Sequence, residues 1–282
     1  MQPTSGRLRF VRTGLWRWNA GDAELALKLF DGVSAHERLR TEAALYQDLC
    51  RVRAPVPGFV AADADALALA RVWIPGTTLY EQLAADEPPG QSQAWAVRDA
   101  WLRLLNSLAP WNARIASTRR EAARRKRGRE LSAVAQALMD AMPRLPTDAI
   151  HALCQTVTVR DPVLLPLDAS PSNVVIDGKR VTFIDLELLG LDFADWTYAK
   201  YVSAANETGT LRSLAAVHPD DSGLPGLDAS VALLSLARVA GLWNGPRIAT
   251  ESLANVLSGS SWAIRRIRQS LGLESSVTSD SG

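Results

Sequence analysis

Cysteine is nearly absent from this chain: of 282 residues, only Cys50 and Cys154 carry a thiol. Two cysteines so far apart supply neither a framework of bridges nor a C-x-x-C metal-ligand pair, which points to a reducing, cytoplasmic setting. Long apolar runs are missing too. No window of eighteen apolar residues exists, so no membrane span is expected. The opening MQPTSGRLRFVRTGLW scatters arginines where a signal peptide needs an apolar stretch, and residue 1 is read as mature protein. Nor is there an excess of charge: 31 basic against 30 acidic side chains leave +1, which excludes a general polyanion-binding surface. The three histidines, His36, His151 and His218, stand in unrelated contexts and are assigned no role. What remains is foldable. At 47% hydrophobic and 22% charged, with nine Trp, the chain lies far from the disordered class and has the length of about two ordinary domains. Its small, polar last residues predict a disordered tail over 273–282.

Apolar stretches such as Glu24 to Phe30 and Ala66 to Trp73, separated by Gly, Asp and Pro, predict short strands in the first seventy-odd residues. The linker RTGLWRWNAGD, with Gly14 and Gly21, reads as a meander. His36 to Val52 carries Leu39, Tyr46 and Leu49 at helical spacing before Pro55, Pro57 and Gly58 stop it. After Ile74, Pro75 and Gly76 the texture changes. Ala94, Val97, Trp101, Leu104, Leu105 and Leu108 form a helical stripe, Pro88, Pro89 and Gly90 mark a loop, and a second amphipathic helix runs from about Arg119 to Met142. Residues 163 to 186 interrupt the helices with VLLPL, NVVI and VTFID, the last two joined by the hairpin signal Asp177 and Gly178. From Asp195 to Leu271 helices are expected again, with loops at Gly209 and from Pro219 to Pro225. The expected organisation is α+β: a small sheet unit with one helix over 1–74, a mostly helical unit over 75–272, and the tail.

Four places carry chemistry. Strand alternation puts Lys28 on one face with Ala26 and Phe30, where an ammonium among apolar neighbours wants an anion; taken alone, an edge-strand lysine snorkelling to water is the stronger reading. Glu42 lies on the apolar face of its helix with Leu39, Tyr46 and Leu49, so it is either paired, with Lys28 fourteen residues upstream, or a solvated carboxylate at the edge of the stripe. In LLPLDASPSN an apolar run delivers Asp168 into a small-residue loop, with Asn173 five residues later. In VTFIDLE a strand ends on Asp185, seventeen residues after Asp168. Each acid alone could cap a turn. Together, hard oxygen donors without a His or Cys cluster suit Mg²⁺ held jointly with nucleotide phosphates.

Lys on a strand, Glu on the next helix, Asp-x₄-Asn on a loop, then Asp after a hairpin is the phosphoryl-transfer set of protein kinases. The details resemble the aminoglycoside phosphotransferase and choline kinase family. LALK is similar to the strand with the phosphate-binding lysine, and VWIPGTTL to the interlobe hinge. LDASPSNVVIDGKRVTFIDLELLGLDFAD resembles the catalytic loop, the metal-binding segment and a following structural aspartate. The resemblance implies a bilobal protein-kinase-like fold and transfer of the γ-phosphoryl of ATP, or GTP, to the hydroxyl of a small molecule such as an antibiotic or biosynthetic intermediate. It implies that Lys28 meets the α- and β-phosphates, that Glu42 orients Lys28, and that Ala26 borders the adenine. The backbone of Val72 and Ile74 would bond the adenine edge. Asp168 would be the catalytic base, Asn173 and Asp185 would hold Mg²⁺, and Asp195 would brace the catalytic loop. Pro166 and Leu167 stand where the family usually has His and Gly, no G-x-G-x-x-G is present, and the Asp168-to-Asp185 spacing is one residue short. Arg71 falls where an apolar residue backs the adenine, so its charge either turns away or narrows the pocket.

Two rival readings follow. A pseudokinase would keep the fold as a nucleotide-binding or interaction module, although retention of Lys28, Asp168, Asn173 and Asp185 argues against lost chemistry. A nucleic-acid-binding regulator would use residues 119 to 130, with seven basic and two acidic side chains. No aromatic is interleaved there for base stacking, which favours a solvated helix face and argues against nucleic acid as a partner. Glu207, Asp220 and Asp221 either meet a cationic sugar or face water. The acceptor and the oligomeric state are not legible.

Overall fold

The computed structural model describes residues 7–12, 15–20, 23–85, 90–143, 145–158, 160–186, 188–205, 211–214, 224 and 226–242. Gly14, Gly21, the Pro88–Pro89 pair, Glu207, Gly209, His218, Asp220, Asp221, most of the Pro219 to Pro225 stretch, the helices expected beyond residue 242 and the 273–282 tail lie outside them.

The N-terminal strands are β1 (Arg7–Arg12), β2 (Leu15–Ala20), β3 (Ala23–Leu29), β4 (Phe59–Asp63) and β5 (Ala68–Val72), in one antiparallel sheet of order β1-β2-β3-β5-β4. The expected meander is therefore three strands before the helix α1 (Ala35–Arg51). Leu39, Glu42, Ala43, Leu45, Tyr46 and Leu49 form the buried face of α1, at the i+3 and i+4 intervals that make one stripe. Each fully buried leucine there contributes roughly 2 kcal/mol. The helix ends where Arg53 takes a left-handed φ of 55° and the Ala54 N–H returns to the Leu49 carbonyl at 2.9 Å.

Beyond the sheet the chain runs through β6 (Thr77–Thr78), α2 (Leu79–Ala84), α3 (Gln91–Asn112), α4 (Ser117–Ala141), α5 (Thr147–Val157), β7 (Val163–Pro166), β8 (Val174–Asp177), β9 (Arg180–Phe183), β10 (Leu189–Asp192), α6 (Ala194–Tyr201), β11 (Ser203–Ala205), β12 (Leu211–Ser213) and α7 (Leu227–Val239). Gly76, at φ 121°, stands between β5 and β6. A Cβ there would lie 2.3 Å from the Ile176 carbonyl oxygen, so only glycine lets β6 pair with β8. A capping box then starts α2: Thr78 Oγ1 accepts the Glu81 N–H at 3.2 Å and Glu81 Oε2 accepts the Thr78 N–H at 2.6 Å.

An aromatic cluster anchors the helical part. Trp101 of α3 lies 5.8 Å from Phe183, 5.7 Å from Tyr198 and 5.6 Å from Tyr201, ring centroid to centroid. Phe183 closes β9, so these contacts fix the strand end that precedes Asp185. The β8–β9 hairpin turns on Gly178 and Lys179, with Asp177 opposite Arg180, one residue later than expected. Between Asp195 and Leu271 the expected run of helices is interrupted. After α6 the chain forms the β11–β12 ladder, whose buried Ser203 and Ser213 hydroxyls meet at 2.9 Å. Two small polar side chains satisfy each other there, a pairing that helical periodicity does not reveal.

Candidate active site

Lys28 and Glu42 meet. The Lys28 Nζ donates to Glu42 Oε2 at 3.0 Å and Oε1 at 3.3 Å, and to Asp185 Oδ1 at 3.2 Å, across 157 residues of sequence. Side-chain exposure is 12% for Lys28, 1% for Glu42 and 19% for Asp185, so the group opens to solvent on the lysine and Asp185 side. Burial pushes the Glu42 carboxyl above its ordinary range, against the pull of Lys28 and Arg71. Of the two readings open for each residue, paired or solvated, the structure shows the paired one.

Asp168 and Asn173 sit on one loop, as the short spacing requires. The Ser170 Oγ accepts the Ser172 N–H at 3.3 Å and starts a single 3₁₀ turn, Pro171–Asn173. Asn173 Nδ2 donates to the Asp168 carbonyl at 3.0 Å, and the Asn173 carbonyl accepts the Ile184 N–H at 2.9 Å. These bonds lock the loop to the segment that carries Asp185. The Asp168 side chain is exposed. Asn173 is 2% exposed, yet its Oδ1 has no hydrogen-bond partner. A buried acceptor left open on a loop bonded to the Asp185 segment fits a hard divalent cation. Among the described residues no group of three or more His, Cys, Asp or Glu forms a metal cage, so any further oxygen ligands come from elsewhere.

The end of β5 and the residues after it differ in how their backbone N–H groups are used. The Val72 N–H is taken by the Gly58 carbonyl and the Trp73 N–H by the Glu24 carbonyl, both at 2.8 Å, whereas the Ile74 N–H has no backbone partner among the described residues. Ala26 is buried on β3, directly opposite Arg71 of β5. The Arg71 side chain does not lie open over this strand pair; it runs back to α1 and to the Ile184 carbonyl.

Comparison with known proteins decides the lineage: a family model described as "Phosphotransferase enzyme family" matches residues 12–199. The chain belongs to that phosphotransferase family. No curated protein matches it. Solved structures align over most of the chain at low identity. The choline kinase from Cryptosporidium parvum Iowa II has 9% identity, TM-score 0.49, and coverage of 95% of this chain and 88% of that one. The macrolide 2'-phosphotransferase MphH from Brachybacterium faecium has 13% identity, TM-score 0.48, and coverage of 96% and 93%. The streptomycin-ATP-APH(2")-IIa ternary complex has 12% identity, TM-score 0.45, and 94% of each chain covered.

This phosphotransferase braces its Pro166-Leu167 loop without the usual histidine. β7 pairs with β10, the Leu167 N–H donates to the Leu188 carbonyl at 2.6 Å, and the Leu167 side chain packs on Gly190, where a Cβ would come within 2.5 Å of it. Lys200 of α6 adds a contact that sequence reasoning missed: its Nζ reaches the Leu167 carbonyl at 3.4 Å and Asp192 Oδ2 at 3.8 Å. Burial pushes the Lys200 amine down, with Asp192 and Asp168 opposing. Asp192, 1% exposed, was also missed. Arg127 of α4 grips it with both arms, Nε to Oδ1 at 3.0 Å and Nη2 to Oδ2 at 2.5 Å. Asp195 departs from expectation. Its Oδ2 accepts the Gly226 N–H at 2.8 Å, so its described bond supports the start of α7 and not the catalytic loop.

Proposed function

We propose that this chain transfers the γ-phosphoryl group of a nucleoside triphosphate, ATP or GTP, to a hydroxyl group of a small molecule. The observation that carries the reading is the Lys28–Glu42–Asp185 cluster together with the loop bonded to the Asp185 segment, whose Asn173 Oδ1 is buried and open. Phosphoryl transfer needs positioning and charge neutralisation more than covalent help from the protein. In this reading a nucleotide-binding unit ends near Ile74 and a catalytic unit runs from Pro75 onward.

In this reading Lys28 pairs with the α- and β-phosphates while Glu42 holds its ammonium in place. Ala26 borders the base, and the Val72 carbonyl and Ile74 N–H take its edge; the Val72 N–H is already committed elsewhere. Asn173 Oδ1 and the Asp185 carboxylate hold Mg²⁺, which when bound neutralises charge on the phosphate oxygens. Asp168 accepts the proton of the acceptor hydroxyl, and its exposure leaves it reachable by a substrate. Both cysteines are free, which suits a reducing cytoplasm. No helix of the described residues is long and apolar enough to cross a membrane. Arg120, Arg124 and Arg127 of the basic helix are spent on intramolecular partners, which argues against a nucleic-acid role.

The test is a screen of small hydroxylated compounds for stimulated ADP release, run with the wild type and Asp168→Asn. Acceptor-dependent turnover that the variant loses by at least about a hundredfold, with nucleotide binding retained, is expected for a general base. Nucleotide binding without turnover on any acceptor would make the chain a binding module instead.

A further inference from the structure

Arg71 is the most deeply buried arginine near the site, and a buried guanidinium is costly unless well paired. It shares the inward face of β5 with Leu69, where an apolar side chain would fill the space without a desolvation cost. Its partners come from two other elements. From α1, the Tyr46 hydroxyl accepts from Arg71 Nη1, the Tyr46 ring centroid lies 4.8 Å from the guanidinium carbon, and Glu42 Oε1 lies 3.8 Å from Nη1. From the segment leading into Asp185, the Ile184 carbonyl accepts Nη1 at 2.6 Å and the Tyr46 hydroxyl at 3.1 Å. One side chain thus holds the glutamate that orients Lys28 and the peptide group immediately before Asp185.

The charges explain why a cation serves here. Lys28 and Arg71 both face the Glu42 carboxylate, Lys28 bonded to both oxygens and Arg71 Nη1 3.8 Å from Oε1, and Asp185 completes a cluster of two positive and two negative groups. An anionic phosphate arriving at Lys28 would compete for its ammonium and weaken, without breaking, its pairing with Glu42. Glu42 would then still face a cation, because Arg71 is held by Tyr46 and Ile184 independently of Lys28.

We propose that Arg71 is a positioning residue for the phosphotransfer site, a buried pin that joins α1 to the segment carrying Asp185 and sets both before nucleotide binds. It touches neither substrate nor metal and acts through Glu42 and the Ile184 carbonyl. Its effect on nucleotide binding rests on the function proposed above; its effect on the Asp185 segment does not.

The experiment uses the full chain as wild type, Arg71→Met and Arg71→Lys, with two readouts: Mg²⁺-dependent affinity for a fluorescent ADP, and hydrogen–deuterium exchange of the ligand-free proteins. Groups that orient metal ligands typically change affinity by about ten- to a hundredfold. Arg71→Met is expected to weaken Mg-ADP binding by about tenfold and to speed exchange in peptides spanning 182–186, with exchange in α3 unchanged. Arg71→Lys keeps the charge beside Glu42 and is expected to fall between the two. Should Arg71→Met not fold, Arg71→Lys decides: wild-type affinity together with wild-type exchange at 182–186 overturns the proposal, as the same pair of results does for Arg71→Met. A wild type that binds no nucleotide would overturn the proposed function, while the exchange comparison would still decide the role of Arg71.

Discussion

Glu42 shows how one buried residue links stability to chemistry with opposite signs. Its carboxyl lies above the ordinary value of 4.5 because burial outweighs the attraction of Lys28 and Arg71. Between 4.5 and the raised value, the folded chain binds this proton more readily than the unfolded chain does. The group's contribution to stability therefore grows as pH falls through that window and is smaller above it. Activity runs the other way, since a neutral Glu42 releases Lys28. Nucleotide turnover is expected to decline on an acid limb above pH 4.5, where the melting temperature of the wild type rises relative to Glu42→Gln. Parallel pH series of turnover and melting check this, and acid limbs that coincide in the two proteins would count against it. At this scale the sequence was informative where the chemistry is local. Asp168, Asn173 and Asp185 fall within eighteen positions, and Glu42 betrays itself as a carboxylate in an apolar stripe. The partners of Arg71, 25 and 113 residues away, leave no local trace.

Elements place these residues through a few contacts that can be broken one at a time. At Gly76 a Cβ would strike the Ile176 carbonyl and the backbone sits at φ 121°, whereas Gly178, at φ 56°, has open space around it. Gly76→Ala is therefore expected to cost about 3 kcal/mol and Gly178→Ala only about 1 kcal/mol, the latter from backbone conformation alone. Equal costs in urea denaturation would show that the close approach of β6 and β8 is unimportant. The Arg127–Asp192 fork joins α4 to β10, which pairs with the strand that delivers Asp168. Removing one partner of a buried ion pair strands the other, so Asp192→Ala is expected to lose about 3 kcal/mol by the same method; a loss below about 1 kcal/mol would contradict the pairing. Helical periodicity found α1 and α3 because each carries a long apolar stripe, and α4 from the shorter one that ends in Leu131, Ala135 and Leu138. It missed α5, an eleven-residue helix beyond two prolines, and the β11–β12 ladder, whose pairing depends on residues brought together only by the fold.

The whole molecule brings a lysine near the N-terminus to an aspartate 157 residues later, and the antiparallel sheet, α1 and the aromatic cluster behind β9 each supply one side of that meeting. The order of these residues along the chain was legible through the family resemblance, because a fold, and not the chemistry alone, fixes which element arrives first. The bracing of the loop before Asp168 was not, because Pro166 and Leu167 replaced a familiar signal with ordinary strand pairing and packing against Gly190. The measurement that bears most directly on the account is a crystal structure of the full chain with Mg²⁺ and a non-hydrolysable ATP analogue. The expected result is Lys28 Nζ in contact with phosphate oxygens and Mg²⁺ bound by Asn173 Oδ1 and the Asp185 carboxylate, with Asp168 facing the γ-phosphoryl group from the open side. A nucleotide seated away from Lys28, or a metal held by other side chains, would contradict it.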